Sequence, residues 1–388
     1  MKDLTFPDAV TISNEVFRQL SFATSGGLVC PQLQHLTWTS SYGWEPMQQF
    51  LSPHLVSVVF YGDYKMEHDT DPALTAVISL LPTTYLEDLN FNIPSPSIPI
   101  LTLSEVVRRL SPCFRQLSTW SSLSDVAWVH LASLPNLEWL RVSDTPHTEI
   151  SIPHEAAFPA LRRMEIKASN VHQRWSSFFS LLESSPLQEV TVGTGRGNRD
   201  SDFPGQVITA ILEAKLQGSI GRLTLSGSDP ADFTSLSYLG QFSSLNTLMW
   251  TTQCRWLRQS VSPLTDSDIE QLASGLPQLV TLRLGHRLCN SGHHNTTIKS
   301  MISLSTHCVS LEHLSLPCDL SNISEDVKTE SGEPDPRLET RSPCKLRFLA
   351  FPWVIMPLPT NTEALRTLTS ALDHLFPLLS LRNDIGAV

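Results

Sequence analysis

Apolar and polar positions alternate along this chain in short bursts that share one phrase, Leu-x-x-Leu-x-Leu, with Val, Ile, Met, Phe or Trp often replacing an anchor. Copies begin at Met1, Leu33, Leu55, Leu86, Phe114, Leu137, Leu161, Leu187, Ile220, Leu245, Leu279, Leu311 and Leu346. The second and third anchors lie two residues apart, as in Leu36/Trp38 and Leu248/Trp250. They therefore point to one side of a short strand, and the residues flanking them point to the other. The copy at Phe114 is the weakest, because Thr119 stands where the last apolar anchor belongs.

The spacers carry a different period, with apolar residues at i, i+3 and i+4, which predicts helices. Examples are Val16, Phe17 and Leu20 after Ser13; Leu74, Val77, Ile78 and Leu81; Val106, Val107 and Leu110 after Ser104; and Val126, Val129 and Leu131 after Ser124. Later ones are centred on Phe178–Leu182, Val207–Leu212, Ile269–Leu276, Ile298–Leu304 and Leu365–Leu375. Ser or Thr, often beside an acid as in Thr265-Asp266-Ser267-Asp268, opens several of them and supplies oxygens that cap free backbone N–H groups. Proline closes the turn before the next phrase, at Pro31, Pro53, Pro135, Pro159, Pro186 and Pro277. The unit is helix, Pro-bearing turn, strand.

Copies spaced 22 to 35 residues apart overlap the roughly 20–29 of leucine-rich repeats and exceed it in places. One repeat alone leaves its apolar side wet, so neighbours must stack on it. The predicted fold is α/β: a leucine-rich-repeat solenoid or horseshoe, with parallel strands on the concave face and helices on the convex face. It is read as one array over residues 1–388 of about 13 irregular repeats, with residues 319–343, rich in Ser, Glu, Asp and Pro, as a flexible acidic insertion.

Composition narrows the function. A net charge of −11 argues against a general nucleic-acid surface, since phosphate binding needs clustered Lys and Arg. Seven scattered cysteines without an opening signal peptide point to reduced thiols in the cytoplasm or nucleus. The apolar stretch around Ala73–Leu81 is too short to span a bilayer.

Enzymatic signatures are weak. Gly193-Thr194-Gly195-Arg196-Gly197 follows a predicted strand but lacks both the Gly-Lys-Ser/Thr of a phosphate loop and the dinucleotide spacing. His286, Cys289, His293 and His294 lack a second close ligand pair, because Cys308 and Cys318 lie ten apart, and they read as a polar loop more than a zinc site. No Gly-x-Ser-x-Gly or paired catalytic grouping occurs. The expectation is a non-enzyme without cofactor or metal.

Function then falls to the concave face, where outward positions flank the anchors: His35, Thr37, Asp88, Asn90, Asn92 and His313, and the candidate partner-binding set Trp120, Trp139, Arg141, Arg163, Glu165, Lys167, Glu189, Arg222 and Arg283. Trp139, Arg141 and Arg163 stand out, because aromatic and Arg side chains anchor protein interfaces most often. The alternative is a solvated mixed-charge face in which Glu165 and Glu189 pair locally.

Four stretches carry a family likeness. Cys30-Pro31-Gln32-Leu33-Gln34-His35-Leu36-Thr37-Trp38, followed by Phe50-Leu51-Ser52-Pro53-His54-Leu55, resembles the repeat region of fungal, mushroom-type F-box proteins. Leu134-Pro135-Asn136-Leu137-Glu138-Trp139-Leu140 and Phe158-Pro159-Ala160-Leu161 follow the same pattern. The resemblance implies a substrate-recognition arm of a cullin-based ubiquitin ligase, joined to a Skp-type adaptor through an upstream F-box. It departs from the family where no Leu-Pro-led F-box precedes the first repeat. An F-box-independent scaffold is the alternative. Met1-Lys2-Asp3-Leu4-Thr5-Phe6 echoes Leu86-Glu87-Asp88-Leu89-Asn90-Phe91, so the chain is expected to begin inside a repeat, with Leu4 and Phe6 needing cover from a missing segment or another chain.

Overall fold

The computed structural model describes residues 2–6, 12–62, 71–93, 98–146, 157–168, 175–194, 203–227, 233–253, 264–287, 296–320, 323, 344–350 and 362–379. They fall into two compact units, 1–187 and 188–388.

In the first unit the strands are β1 (Asp3–Thr5), β2 (His35–Thr39), β3 (Ser57–Tyr61), β4 (Asp88–Asn92), β5 (Gln116–Thr119), β6 (Trp139–Val142) and β7 (Arg163–Ala168). Each runs parallel to the next in chain order and in constant register, so that Leu36, Val58, Leu89, Leu117, Leu140 and Met164 form one buried column. The helices α1 (Asn14–Ala23), α2 (Pro72–Ser79), α3 (Ile100–Arg108), α4 (Asp125–Ser133) and α5 (Trp175–Ser180) lie in the spacers, and two 3-10 turns, Ser40–Tyr42 and Glu45–Phe50, take the place of a helix after β2.

The second unit repeats the plan with β8 (Glu189–Thr194), β9 (Arg222–Gly227), β10 (Thr247–Gln253), β11 (Thr281–Arg287), β12 (His313–Ser315) and β13 (Phe348–Ala350). These also pair in parallel and in order. Its helices are α6 (Phe203–Glu213), α7 (Asp266–Gly275), α8 (Ile298–His307) and α9 (Thr362–Leu375).

Each of the thirteen phrases thus carries one of these strands, and the backbone shows why the phrase is fixed. The carbonyl of the residue after the first anchor accepts two N–H groups of the next repeat. Lys2 O takes Gln34 N and His35 N at 2.8 and 3.0 Å, Arg115 O takes Glu138 N and Trp139 N at 2.8 and 3.1 Å, and Gly221 O takes Asn246 N and Thr247 N at 2.9 and 3.0 Å. The first anchor is pulled in by a tight turn, as where Leu33 N donates to Cys30 O and Leu279 N to Leu276 O. Side chains before that anchor tie the turns of adjacent repeats: Asn136 Nδ2 donates to Pro112 O at 2.8 Å, Ser244 Oγ to Gly218 O at 2.6 Å and Gln278 Nε2 to Ser243 O at 2.8 Å. A fully buried Leu contributes about 1.5–3 kcal/mol, so the anchors dominate stability while these bonds fix register.

The predicted caps at Ser124 and Thr265 are present: Ser124 Oγ accepts from Ala127 N, and Thr265 and Asp268 form a reciprocal capping box. Ser13 occupies the N-cap position of α1 without making a side-chain bond. Three expectations are corrected. Helix α3 begins at Ile100, and Ser104 lies inside it, 3% exposed, where its hydroxyl accepts from Ser124 N at 2.9 Å. In α4 the buried stripe is Ala127, Trp128, Leu131 and Ala132, which leaves Val126 and Val129 at 58% and 42% exposure, because the bulky Trp128 takes the inward position. Phe6 needs no outside cover: it is 8% exposed and packs against Phe17, Trp38, Tyr42 and Phe50, with centroids 4.5–6.0 Å away. Beside it Trp38 Nε1 donates to Gly43 O at 2.8 Å, and Gly43 turns the chain at φ +70°, a conformation that glycine adopts without steric cost.

Of the predicted insertion, only Asp319, Leu320 and Ile323 lie among the described residues. Among the described residues no helix is long and apolar enough to cross a membrane.

Candidate functional site

The outward residues of each unit form rows, because a constant register places equivalent positions side by side. In the first unit one row runs Asp88, Gln116, Trp139, Arg163 and a second runs Asn90, Ser118, Arg141, Glu165. The alternation also puts Asn92, Trp120, Ser143 and Lys167 on this face, two residues further along.

Six of the nine candidate residues meet here. The Arg141 guanidinium carbon lies 3.9 Å from the centre of the Trp120 ring system, and Lys167 Nζ lies 4.8 Å from the same centre. Lys167 is two strands away from Trp120, roughly 10 Å of backbone separation, and reaches it over Ser143, which is small and only 9% exposed. Arg163 lies 5.5 Å over Trp139. Arg141 Nη2 pairs with Glu165 at 3.0 Å, both side chains about three-quarters buried. Trp120 Nε1 donates to Asn92 Oδ1 at 3.3 Å, which ties the indole to β4. Ser122 Oγ donates to the buried Asp144 at 2.6 Å and joins the loops that follow β5 and β6.

Each cation over an indole contributes about 0.5–1 kcal/mol when exposed and more when desolvated. The stack is therefore a preorganised surface that holds two tryptophans and three cations upright.

Beneath it lies Ser118, a residue that pattern reasoning missed. Strand alternation directs it to the concave side, yet it is 2% exposed because larger side chains close over it. Its Oγ is buried without a hydrogen-bond partner, as are Asn90 Oδ1, Trp139 Nε1 and Arg141 Nε beside it. The only sequence signal was its place inside the weakest phrase, between Leu117 and Thr119. Thr119 itself is fully buried and accepts from Ser121 N at 3.0 Å, so it ends β5 by a local turn.

The other three candidates lie in the second unit. Arg222 Nη1 approaches Glu189 at 3.8 Å, with both side chains at least one-third exposed. Arg283 stands on β11 in the row of Thr224, Met249 and Ser315. Glu165 and Glu189 thus each have a basic partner, as the mixed-charge alternative anticipates for those two residues, and the tryptophan stacks go beyond it.

The remaining chemical candidates give no site. A Cβ at Gly193 would lie 2.6 Å from Ser226 Oγ, so a larger residue there requires that hydroxyl to turn away, and the glycine serves close strand packing; residues 195–200 lie outside the described residues. The side chains of His286, Cys289, His293 and His294 lie outside them too. Among the described residues no group of three or more His, Cys, Asp or Glu is placed to hold a metal ion. Cys308 and Cys344 are buried, and desolvation pushes the Cys308 thiol up to about 12, with a smaller upward contribution from Cys344. Cys318 is raised further, chiefly by burial and then by Asp266. These thiols are structural. Cys308 Sγ donates to Ala273 O and Leu276 O, and Cys344 Sγ to Cys308 O and Leu311 O, which repeats the turn ladder with sulfur.

Parallel strands in register, one per phrase, alternating with outer helices make the protein an α/β leucine-rich-repeat solenoid. Among solved structures it is similar to the crystal structure of CroV588, described as a novel circular leucine-rich-repeat protein, with 13% identity and a TM-score of 0.27 over 83% of this chain and 34% of that one. No protein-family model matches the sequence, and no curated protein matches it.

Proposed function

We propose that this chain is a non-catalytic protein-binding solenoid whose partner docks on the concave face at Trp120, Trp139, Arg141, Arg163, Glu165 and Lys167. The observation that carries the reading is the double cation stack on Trp120. Nothing in strand pairing requires Arg141 and Lys167 to converge on one indole, and side chains so restrained lose less entropy on binding. Aromatic and Arg residues close together are the composition of interface hot spots.

The finer role follows the likeness of Cys30–Trp38 and Leu134–Leu140 to the repeats of fungal F-box proteins: a substrate-recognition arm of a cullin-based ubiquitin ligase. Glu189, Arg222 and Arg283 are the candidate contact residues of the second unit, taken by itself, in that reading.

The test is affinity capture from the native cells with the wild-type chain and with a Trp139→Ala, Arg141→Ala double variant of unchanged circular dichroism. The expected result is a reproducible partner set that the variant loses. An unchanged partner set overturns the docking site. A Skp-type adaptor captured by the full-length protein supports the ligase arm, whereas partners without an adaptor indicate an F-box-independent scaffold.

A further inference from the structure

The second unit, taken by itself, is sparing with charge on its concave face. Among the described side chains at the outward strand positions, the acids and strong bases are Glu189, Arg222 and Arg283. Glu189 and Arg222 approach each other at 3.8 Å. The Arg283 side chain makes no ion pair or hydrogen bond among the described residues, and its neighbours in register, Met249 and Ser315, carry no charge. Arg283 is half-buried, yet none of its nitrogens belongs to the buried unpaired atoms, so the guanidinium keeps its access to solvent.

A guanidinium offers donors in a fixed fork and accepts nothing, and it pairs best with a carboxylate through two parallel bonds. Hydroxyls flank it: Thr281 lies two residues back on the same strand and so on the same face, and Ser315 lies opposite it on β12. Both are half-buried, and neither hydroxyl has a partner among the described residues. An apolar shelf stands on the same face. Phe348 of β13 is 56% exposed, its ring lies 6.0 Å from that of His313, and His313 is the strand neighbour of Thr281. An aromatic and an Arg on a face of small polar residues are the anchors that interfaces use most. From Arg283 to Phe348 is two strand spacings across and two residues back, roughly 12 Å of backbone separation.

Resting on the protein-binding reading above, we propose that the concave face of the second unit docks an extended segment of a partner protein that carries an acidic and an apolar side chain four residues apart. The carboxylate pairs with Arg283 and accepts from the Thr281 and Ser315 hydroxyls, and the apolar side chain rests on Phe348. Side chains four apart on an extended segment share a face and lie roughly 13 Å from each other, which matches the diagonal from Arg283 to Phe348. The charge selects the occupant. A basic segment would meet Arg283 with nothing to offset it. A nucleic acid would find one cation where a phosphate chain needs clustered Lys and Arg, on a protein of net charge −11. Charges beyond about 8 Å are largely screened at physiological ionic strength, so that net charge does not repel a single carboxylate at Arg283.

The test uses the full chain and short fluorescein-labelled peptides of Ser and Thr that carry Glu and Leu four residues apart, with Gln or Lys replacing Glu and Ala replacing Leu in the controls. Oligothymidylate is a further probe, and fluorescence polarisation at two salt concentrations reads all of them. The Glu peptide should bind about five-fold more tightly than the Gln peptide, the size of one good ion pair, and salt should narrow the gap. Replacing Leu by Ala should cost about five-fold as well. Arg283→Gln, with the melting temperature preserved, should erase the preference for Glu over Gln and keep that for Leu over Ala, while Phe348→Ala should do the reverse. The comparison of peptides on the wild-type chain needs no variant. Equal binding of the Glu and Gln peptides, equal binding of the Leu and Ala peptides, a Glu preference that survives Arg283→Gln, tighter binding of the Lys peptide or of oligothymidylate, or no binding by any probe overturns the proposal. None of these touches the protein-binding reading, which fails separately if the Trp139→Ala, Arg141→Ala variant keeps its cellular partners.

Discussion

Asp266 offers the sharpest quantitative test of how repeats are joined. It opens α7, yet its carboxylate accepts from the start of α8 in the next repeat: from Thr297 N at 2.7 Å, Thr297 Oγ1 at 2.8 Å, Ser300 N at 3.1 Å and the Ser300 hydroxyl. Thr297 is partly exposed, so water replaces the carboxylate there. Ser300 is fully buried, and Asp266→Ala takes the acceptor from its hydroxyl, at about 1–3 kcal/mol, while its N–H keeps the Thr297 carbonyl at 3.1 Å. Loss of a negative charge at a helix N-terminus adds about 0.3–1 kcal/mol. Allowing the Ser300 hydroxyl to turn to another acceptor, the expected loss is about 1–3 kcal/mol. Asp266→Asn keeps one acceptor oxygen for the Ser300 hydroxyl but removes the charge, and should cost half as much, roughly 0.5–1.5 kcal/mol. Urea denaturation followed by circular dichroism measures both. A change below about 0.5 kcal/mol for the Ala variant, the size of an ordinary surface substitution, would refute the reasoning that this carboxylate clamps α7 to α8.

Three further outcomes follow. Phe6→Ala should destabilise the first unit by about 3–5 kcal/mol, as other buried Phe truncations do, seen in the same urea titration; a loss under 1 kcal/mol would mean the aromatic cluster around Trp38 does not hold the first strand. Asp88 is pushed above its ordinary value by burial and then by Glu87, with Glu138 adding to the rise and His35 and Arg115 partly offsetting it. The fold therefore favours its protonated form, and its ionisation weakens the fold as pH rises. Asp88→Asn should accordingly raise the melting temperature at pH 7 and lose that advantage below the carboxylate range; equal gains at both pH values would contradict the sign. Cys308, Cys318 and Cys344 should resist iodoacetamide in the native protein at pH 8 and react on unfolding, as peptide mass mapping will read; rapid native labelling would contradict their burial.

How much of this was legible in the sequence depends on the length scale of each interaction. The phrases were readable because strand alternation needs only i and i+2, and all thirteen correspond to strands. The cap at Thr265 was readable because its partner is three residues away. The orientation of α4 was not: Val126, Ala127, Trp128, Val129, Leu131 and Ala132 are apolar on every side, so spacing alone could not select the buried stripe, and the volume of Trp128 decided it. The start of α3 was missed because Ser104 looks like a cap while its hydroxyl serves the neighbouring repeat through Ser124. At the site, alternation alone marks Trp120, Trp139, Arg141, Arg163, Glu165 and Lys167 as outward positions, but their stacking depends on side-chain reach across strands. Lys167 meets Trp120 only because Ser143 between them is small, and Ser118 becomes a floor only because its neighbours close over it.

The central claim, that partners dock on the concave face of the first unit, is tested most directly by photocrosslinking. Tyr61, an exposed aromatic on that face whose strand neighbour is Asn92, is the position for a benzoylphenylalanine, and Leu101, 79% exposed on helix α3, provides the control on the helical side. Illumination in the native cells should yield a protein adduct from position 61 that disappears with Trp139→Ala, Arg141→Ala, and none from position 101. An adduct from position 101 alone, or one from position 61 that survives the double substitution, would contradict the account.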